Sequence, residues 1–433
     1  MLVYYFSLAM ISLKRNRVIT ALMILAIGLG IGASMTMATV LHVMSGDPLP
    51  GRSGYLYVPV IDASPVRESQ PKRATPDDDL TWPDALNLLH AARAEKQAAM
   101  SGGRLPIRPD NPSQKPFFEH GHYVTADFFP MFGTPFLAGR GWTREDDESH
   151  ARVVVLNASL NRKLFGDAPG IGRTVRLKNI DFRVIGVLDD WQPQPTFYAS
   201  VNERSFGQTD QLFLPLQTAM ELNFDMQGRL WCWGSSGDTR TSDHCTWLQF
   251  WVQLSNPASV LGYRDFLANY WREQQAHGRF TRPVNVHLYG LMDWLAYQHV
   301  IPDDLRLQLW LALGFLGVCM INIVGLLLAK FLRRSGELSV RRALGARRRD
   351  LFLQLGMEAA VIGMAGGMLG LGLAELGLWS VRQRPDGYAH LAQMDISMLA
   401  GTLLLAVLSS VLAGLLPAWR ACNIPPALQL KTQ

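Results

Sequence analysis

The sequence predicts a membrane protein with four transmembrane α-helices and a large α+β extracytoplasmic domain between the first and second spans. Three observations carry this expectation. Four apolar runs, at residues 18–44, 305–332, 351–379 and 396–419, are each long enough to cross a bilayer. Arginine gathers beside those runs. A polar segment of roughly 260 residues, 45–304, separates the first run from the second and reads as mixed strands and helices.

A span needs about 20 mostly apolar residues to cross the hydrocarbon core. The first three runs are the longest, so tilt or protrusion beyond the lipid is expected of them. The hydrophobic fraction of the whole chain is an ordinary 48% because the long polar segment dilutes the spans. Residues 1–17 are apolar and aromatic at first, with Lys14, Arg15 and Arg17 at their end. They suit a cytoplasmic interfacial helix leading into the first span; the alternative is a longer first span. That span has a basic flank and small residues near its end, as a signal peptide does. Its apolar run is much longer than a signal h-region, so it reads as an uncleaved anchor.

Orientation follows from the positive charges. Lys14, Arg15 and Arg17 precede the first span, residues 333–350 join the second to the third, and Arg420 and Lys431 lie in the tail 420–433. The positive-inside bias makes all three regions cytoplasmic. The segment 45–304 and the short loop 380–395 then lie on the opposite side. The net charge of +5 is concentrated beside spans, where orientation and anionic lipid account for it, so no nucleic-acid partner is expected.

Within 45–304, Trp82 to Ala99 reads as a helical patch capped from Asp79–Thr81. Short β-prone runs follow. Arg152–Leu156, Thr174–Leu177, Phe182–Leu188, Leu212–Pro215 and Leu248–Leu254 read as strands, Asn157–Phe165 as a helix ending at Gly166, and Ala258–Gln275 as an amphipathic helix. The mixture implies an α+β domain. Cys232 and Cys245 flank a small polar loop. Outside the cytoplasm such a pair is expected to be a disulfide, against the alternative of two reduced, buried thiols. Cys319, inside a span, and Cys422, on the cytoplasmic side, are not expected to pair. Trp231, Trp233, Trp247 and Trp251 crowd around the cysteine pair, either as a docking surface or as core.

Signatures of catalysis are missing from these 433 residues: they contain no Gly-x-x-x-x-Gly-Lys-Ser/Thr, no His-Glu-x-x-His and no Gly-x-Ser-x-Gly. Gly170–Thr174 reads as a turn entering a strand. Glu119, His120 and His122 alternate as a weak metal pattern without a further ligand, so no metal site is expected. Glu358 and Glu375 fall within the third apolar run. An ionisable group in a span is a functional candidate by default. Glu358, close to the arginine-rich end, fits a structural salt bridge at least as well, and no relay of such groups exists for a proton path. Gly28 and Gly32 in the first span, with Gly363 and Gly367 in the third, are small-residue pairs suited to close helix packing.

The most informative stretch is 333–349, RRSGELSVRRALGARRR. Glu337 and Arg341 stand four apart in the favourable helical order, a pair contributing a few tenths of a kcal/mol. Leu338, Ala343 and Leu344 give this short helix an apolar side. From Arg333 to Ala346, through Arg348, Arg349, Asp350, Gln354 and Glu358, and on to 415–421 and 425–428, the chain resembles the FtsX-like permease domain of MacB-type ABC transporters. Residues 123–129, Gly139, Arg140, 153–157, 164–166, Gly172 and 184–187 are similar to the MacB periplasmic core. Leu338 and Ser339 stand where that family usually has Ile and Gly, and the Trp/Cys-rich insertion near Cys232 lies outside the family pattern.

The resemblance implies that Arg334, Glu337, Leu338, Arg341, Arg342, Ala343, Leu344, Gly345 and Ala346 form a coupling helix seated in a groove of a separate ABC ATPase subunit, where ATP and Mg would bind; this chain itself would be non-catalytic. It implies further a second permease copy, identical or related, and a periplasmic adaptor with an outer-membrane channel, all for efflux by mechanotransmission. Lipoprotein extraction from the inner membrane is an alternative within the same fold. A regulator of cell-wall hydrolases is a third, which the large external segment argues against.

Overall fold

A computed structural model describes residues 2–65, 78–109, 114–199, 206, 210–234, 238–301, 303–334, 336, 340, 344–383, 394 and 396–423. The chain divides into two compact units, residues 1–45 with 301–433, and residues 46–300.

The first unit is helical. A helix Leu2–Arg15 stops at Asn16, which leaves helical geometry (φ −121°, ψ 61°), and the first membrane helix begins afresh as Arg17–Met44. The second, third and fourth membrane helices are Asp303–Arg333, Arg348–Arg382 and Ile396–Asn423. Helix is the form these runs must take, because a lipid-exposed chain has to satisfy its backbone hydrogen bonds internally. At about 1.5 Å per residue, the third helix is roughly 50 Å long, well beyond an apolar core of about 30 Å. Pro417 sits inside the fourth helix, as membrane helices tolerate. Met23, Ile27, Ile31, Ile323, Leu327, Phe331, Leu355 and Ile362 form the unit's apolar core.

The second unit is built on one mixed sheet. Its strands are β1 (Leu56–Ile61), β2 (Leu80–Thr81), β3 (Lys96–Arg108), β4 (Phe117–Val124), β5 (Phe136–Gly139), β6 (Val153–Asn157), β7 (Thr174–Leu177), β8 (Ile180–Leu188), β9 (Leu212–Pro215), β10 (Met226–Gln227), β11 (Trp231–Cys232), β12 (Cys245–Gln253) and β13 (Val286–Gly290). The main order is β13-β1-β12-β3-β4-β9-β6-β8-β5, with β4–β9 and β6–β8 parallel. β7 and β8 form a hairpin whose two turn residues, Lys178 and Asn179, both have positive φ, the geometry of a tight type I′ connection.

Both faces of the sheet are covered. Val154 and Leu156 join one core with Leu105, Leu248 and Trp271; Val153 and Val155 join the other with Met100, Phe213 and Trp251. A strand buried on both faces reads as a continuous apolar run, which is why Val153–Leu156 lacks alternation. The helix Pro257–Ala276 contributes Tyr263, Leu267 and Trp271 to the first core.

The expected helix Trp82–Ala99 is corrected at its end. Thr81 does cap it, accepting from the Asp84 N–H, but the helix stops at Ala91. Ala92 turns left-handed (φ 45°, ψ 46°), and residues 96–100 pair with 253–249 of β12. Ala98 and Ala99 face opposite cores, and Gln97 donates to the Leu88 carbonyl. Strand pairing and burial override the helix preference of this alanine-rich stretch.

Candidate functional site

The arginine-rich segment follows the second membrane helix, whose last turn carries Lys330 and Arg333. The Arg334 N–H donates to Phe331 O, Gly336 and Val340 are helical, and the Leu344 N–H donates to Val340 O at 3.0 Å. Leu344 is 83% exposed. Gly345 has φ +99°, a backbone angle that favours glycine, and Ala346 and Arg347 lead into the third helix at Arg348. Glu337, Leu338, Arg341, Arg342 and Ala343 lie outside the described residues, and the expected Glu337–Arg341 pair with them.

Immediately beneath this segment the structure gathers a buried charge cluster. Glu358 is 1% exposed and forms an ion pair through Oε1 with Lys330 Nζ, itself fully buried. Arg334 Nη1 lies 3.4 Å from Glu358 Oε2. The Ser12 hydroxyl of the N-terminal helix donates to Glu358 Oε1 at 2.6 Å and accepts from Arg334 Nη1 at 2.5 Å. Sequence reasoning singled out Glu358 and Arg334 but missed Lys330 and Ser12. A signal for Lys330 existed: it stands four residues before Arg334, so both side chains leave on one face, where one anion can serve both. Glu375, by contrast, pairs with Arg382 near the exposed end of the third helix.

The four small-residue positions lie where helices cross. A Cβ on Gly28 would come within 2.8 Å of Leu369, and one on Gly32 within 2.8 Å of Leu373. Those on Gly363 and Gly367 would meet Ser410 at 2.6 Å and Ala406 at 2.7 Å. The third helix is thus pressed against the first on one side and the fourth on the other. Ser410 donates to Ala359 O at 2.6 Å across the second of these crossings, the kind of interhelical bond that the close approach permits.

In the second unit Cys232 and Cys245 form a disulfide between opposed residues of β11 and β12. The four tryptophans divide. Trp251 is core, Trp247 is buried, stacks on Trp82 at 6.1 Å and donates to Arg240 O, while Trp231 and Trp233 are half-buried. The weak metal pattern is spent on other contacts: Glu119 pairs with Lys163 at 2.7 Å, and His122 Nδ1 lies 2.8 Å from Asp210 inside the core. Among the described residues no group of ligating side chains could hold a metal ion.

A family model for the MacB-like periplasmic core domain matches residues 20–264, more than half of the chain. The chain belongs to this family. A second model, for the FtsX-like permease C-terminal domain, matches residues 310–426, so the MacB-like chain carries both parts of an ABC transporter permease in order. The macrolide export ATP-binding/permease protein MacB of Salmonella typhi is 26% identical over 305 residues, covering 70% of this chain and 42% of that protein. The pyoverdine export ATP-binding/permease protein PvdT of Pseudomonas fluorescens is 24% identical over 432 residues, covering 96% of this chain and 58% of that protein. This MacB-like chain therefore spans about half the length of the curated relatives it matches. Among solved structures, the periplasmic region of MacB from Actinobacillus actinomycetemcomitans aligns with 56% of this chain and 94% of its own at a TM-score of 0.36 and 16% identity.

Proposed function

We propose that this chain is the permease subunit of a MacB-type mechanotransmission exporter in the bacterial inner membrane. In this reading a separate ABC ATPase subunit binds ATP and Mg, and its closure pushes on residues 334–346. The membrane helices pass the movement to residues 46–300 on the periplasmic side. Two permease copies, identical or related, face each other, and an adaptor with an outer-membrane channel completes the route outward. The observation that carries the reading is the order of its parts: a MacB-like core, then an FtsX-like permease region, with an arginine-rich segment between two of four long apolar helices. Export, the activity named for the relatives, needs thrust from such a cytoplasmic contact.

Capture tests it. Affinity purification of the protein from cells that also express its ABC ATPase recovers an ATP-binding subunit. Glu337→Lys or Arg341→Glu weakens that capture and the accompanying ATP hydrolysis while leaving the amount of membrane-inserted protein unchanged. Equal capture and hydrolysis by both variants would remove residues 334–346 from the coupling role.

A further inference from the structure

The charge cluster under the arginine-rich segment does more than neutralise one carboxylate. Glu358 lies ten residues into the third membrane helix, and a carboxylate there persists only with cations at hand. Lys330 and Arg334, its cationic partners among the described residues, differ in freedom. Lys330 is wholly enclosed within the second membrane helix, with Glu358 as its ion-pair partner, so it cannot leave. Arg334 follows that helix's last residue, its side chain is 12% exposed, and the chain runs on from it into the segment 334–346. Cations one helical turn apart repel unless an anion lies between them. Ser12, donating to Glu358 and accepting from Arg334, adds the N-terminal helix to the same junction.

We propose that Glu358 is a positioning residue: by holding Arg334 beside Lys330 and Ser12, it ties the start of segment 334–346 to the N-terminal, second and third helices together. This rests on the proposed coupling role of that segment and adds the joint through which its movement reaches the bundle. A push on the segment then moves three helices as one body; with the joint cut, the segment moves alone.

The test uses the full chain with Cys319 and Cys422 replaced by alanine and the Cys232–Cys245 disulfide kept. Spin labels go on Ile11→Cys and Val340→Cys, both exposed positions on either side of the joint. Two variants cut the joint differently. Arg334→Gln leaves the Lys330–Glu358 pair in place. Glu358→Gln with Lys330→Leu removes both fully buried charges, so Lys330 is not stranded in the interior. Each is expected to keep the melting temperature of the parent, to broaden the distance distribution between the labels, and to lower permease-stimulated ATP hydrolysis about tenfold, within the span of coupling energies measured along such paths. Arg334→Lys keeps a cation in reach and retains most of both signals. A well-folded double variant with the parent's distance distribution would show that Glu358 merely neutralises Lys330, and the inference would fall. Capture of no ATP-binding subunit by the parent would sink the coupling reading instead; the label distances still decide whether Glu358 fixes the segment.

Discussion

Asp147 shows how one side chain in the sheet unit sets a pH response. It sits in the short helix Arg144–Glu148, is 6% exposed, and accepts the Ala126 N–H through Oδ2 at 2.7 Å. Burial pushes its carboxyl up to about 7; the Ala126 amide and the Trp142 side chain pull down, and the Asp146 and Asp127 carboxylates push up. An unfolded aspartate titrates near 3.9. Between about pH 4 and pH 7 the folded state therefore keeps a proton that the unfolded chain releases, so stability falls as pH rises through that window and levels off above it. Asp147→Asn keeps an acceptor for Ala126 and has no charge to bury. It should melt above the parent at pH 7, with the difference closing toward pH 4. Melting curves followed by tryptophan fluorescence from pH 4 to pH 8 check this; a gap constant across the range would show that Asp147 is ionised in the fold throughout. Nothing in the sequence advertised this residue. Its environment comes from Ala126 and Trp142, and a run of acidic residues reads as solvated surface.

At the scale of elements, the β11–β12 hairpin carries a disulfide that joins residues 13 apart. Closing a loop of this size restrains the unfolded chain by about 3 kcal/mol in the entropy account. The hairpin also carries Trp247, stacked on Trp82 at the start of the helix Trp82–Ala91, so loosening it disturbs that helix as well. Cys232→Ser with Cys245→Ser should lower denaturant stability by about 2–4 kcal/mol. Added reductant should do the same to the parent and nothing further to the variant. Alkylation of both cysteines without reductant would disprove the bond. The sequence exposed this element through its paired cysteines, and exposed the membrane helices even more clearly, because 20 or more apolar residues have few other structural uses. It misled at residues 92–99, where alanines suit a helix but Ala98 and Ala99 are buried on the two sides of β3, leaving no alternation to read. The charge cluster was half legible. Glu358 stood out as an acid in an apolar run, but Ser12, 346 residues away, had no local mark tying it to Glu358.

For the whole molecule, the proposals stand or fall on sidedness. Two helices bound the segment 46–300, and the second and third bound 334–346, so one further crossing separates them and they must face opposite compartments if each helix spans once. The positive charges then choose which: arginines at 333–349 would have to be translocated in the reverse orientation, against a strong bias. A single-cysteine survey decides it, using Leu230→Cys in the sheet unit and Val340→Cys in the arginine-rich segment, both at exposed positions. With Cys319 and Cys422 replaced and the disulfide oxidised, a membrane-impermeant maleimide should label position 230 in cells whose outer membrane alone is opened. Position 340 should react only once the inner membrane is breached. Labelling of both from one side would mean that a helix fails to span. The arginine-rich segment would then share a compartment with the sheet unit, no cytoplasmic ATPase could reach it, and the joint at Glu358 would have no thrust to transmit.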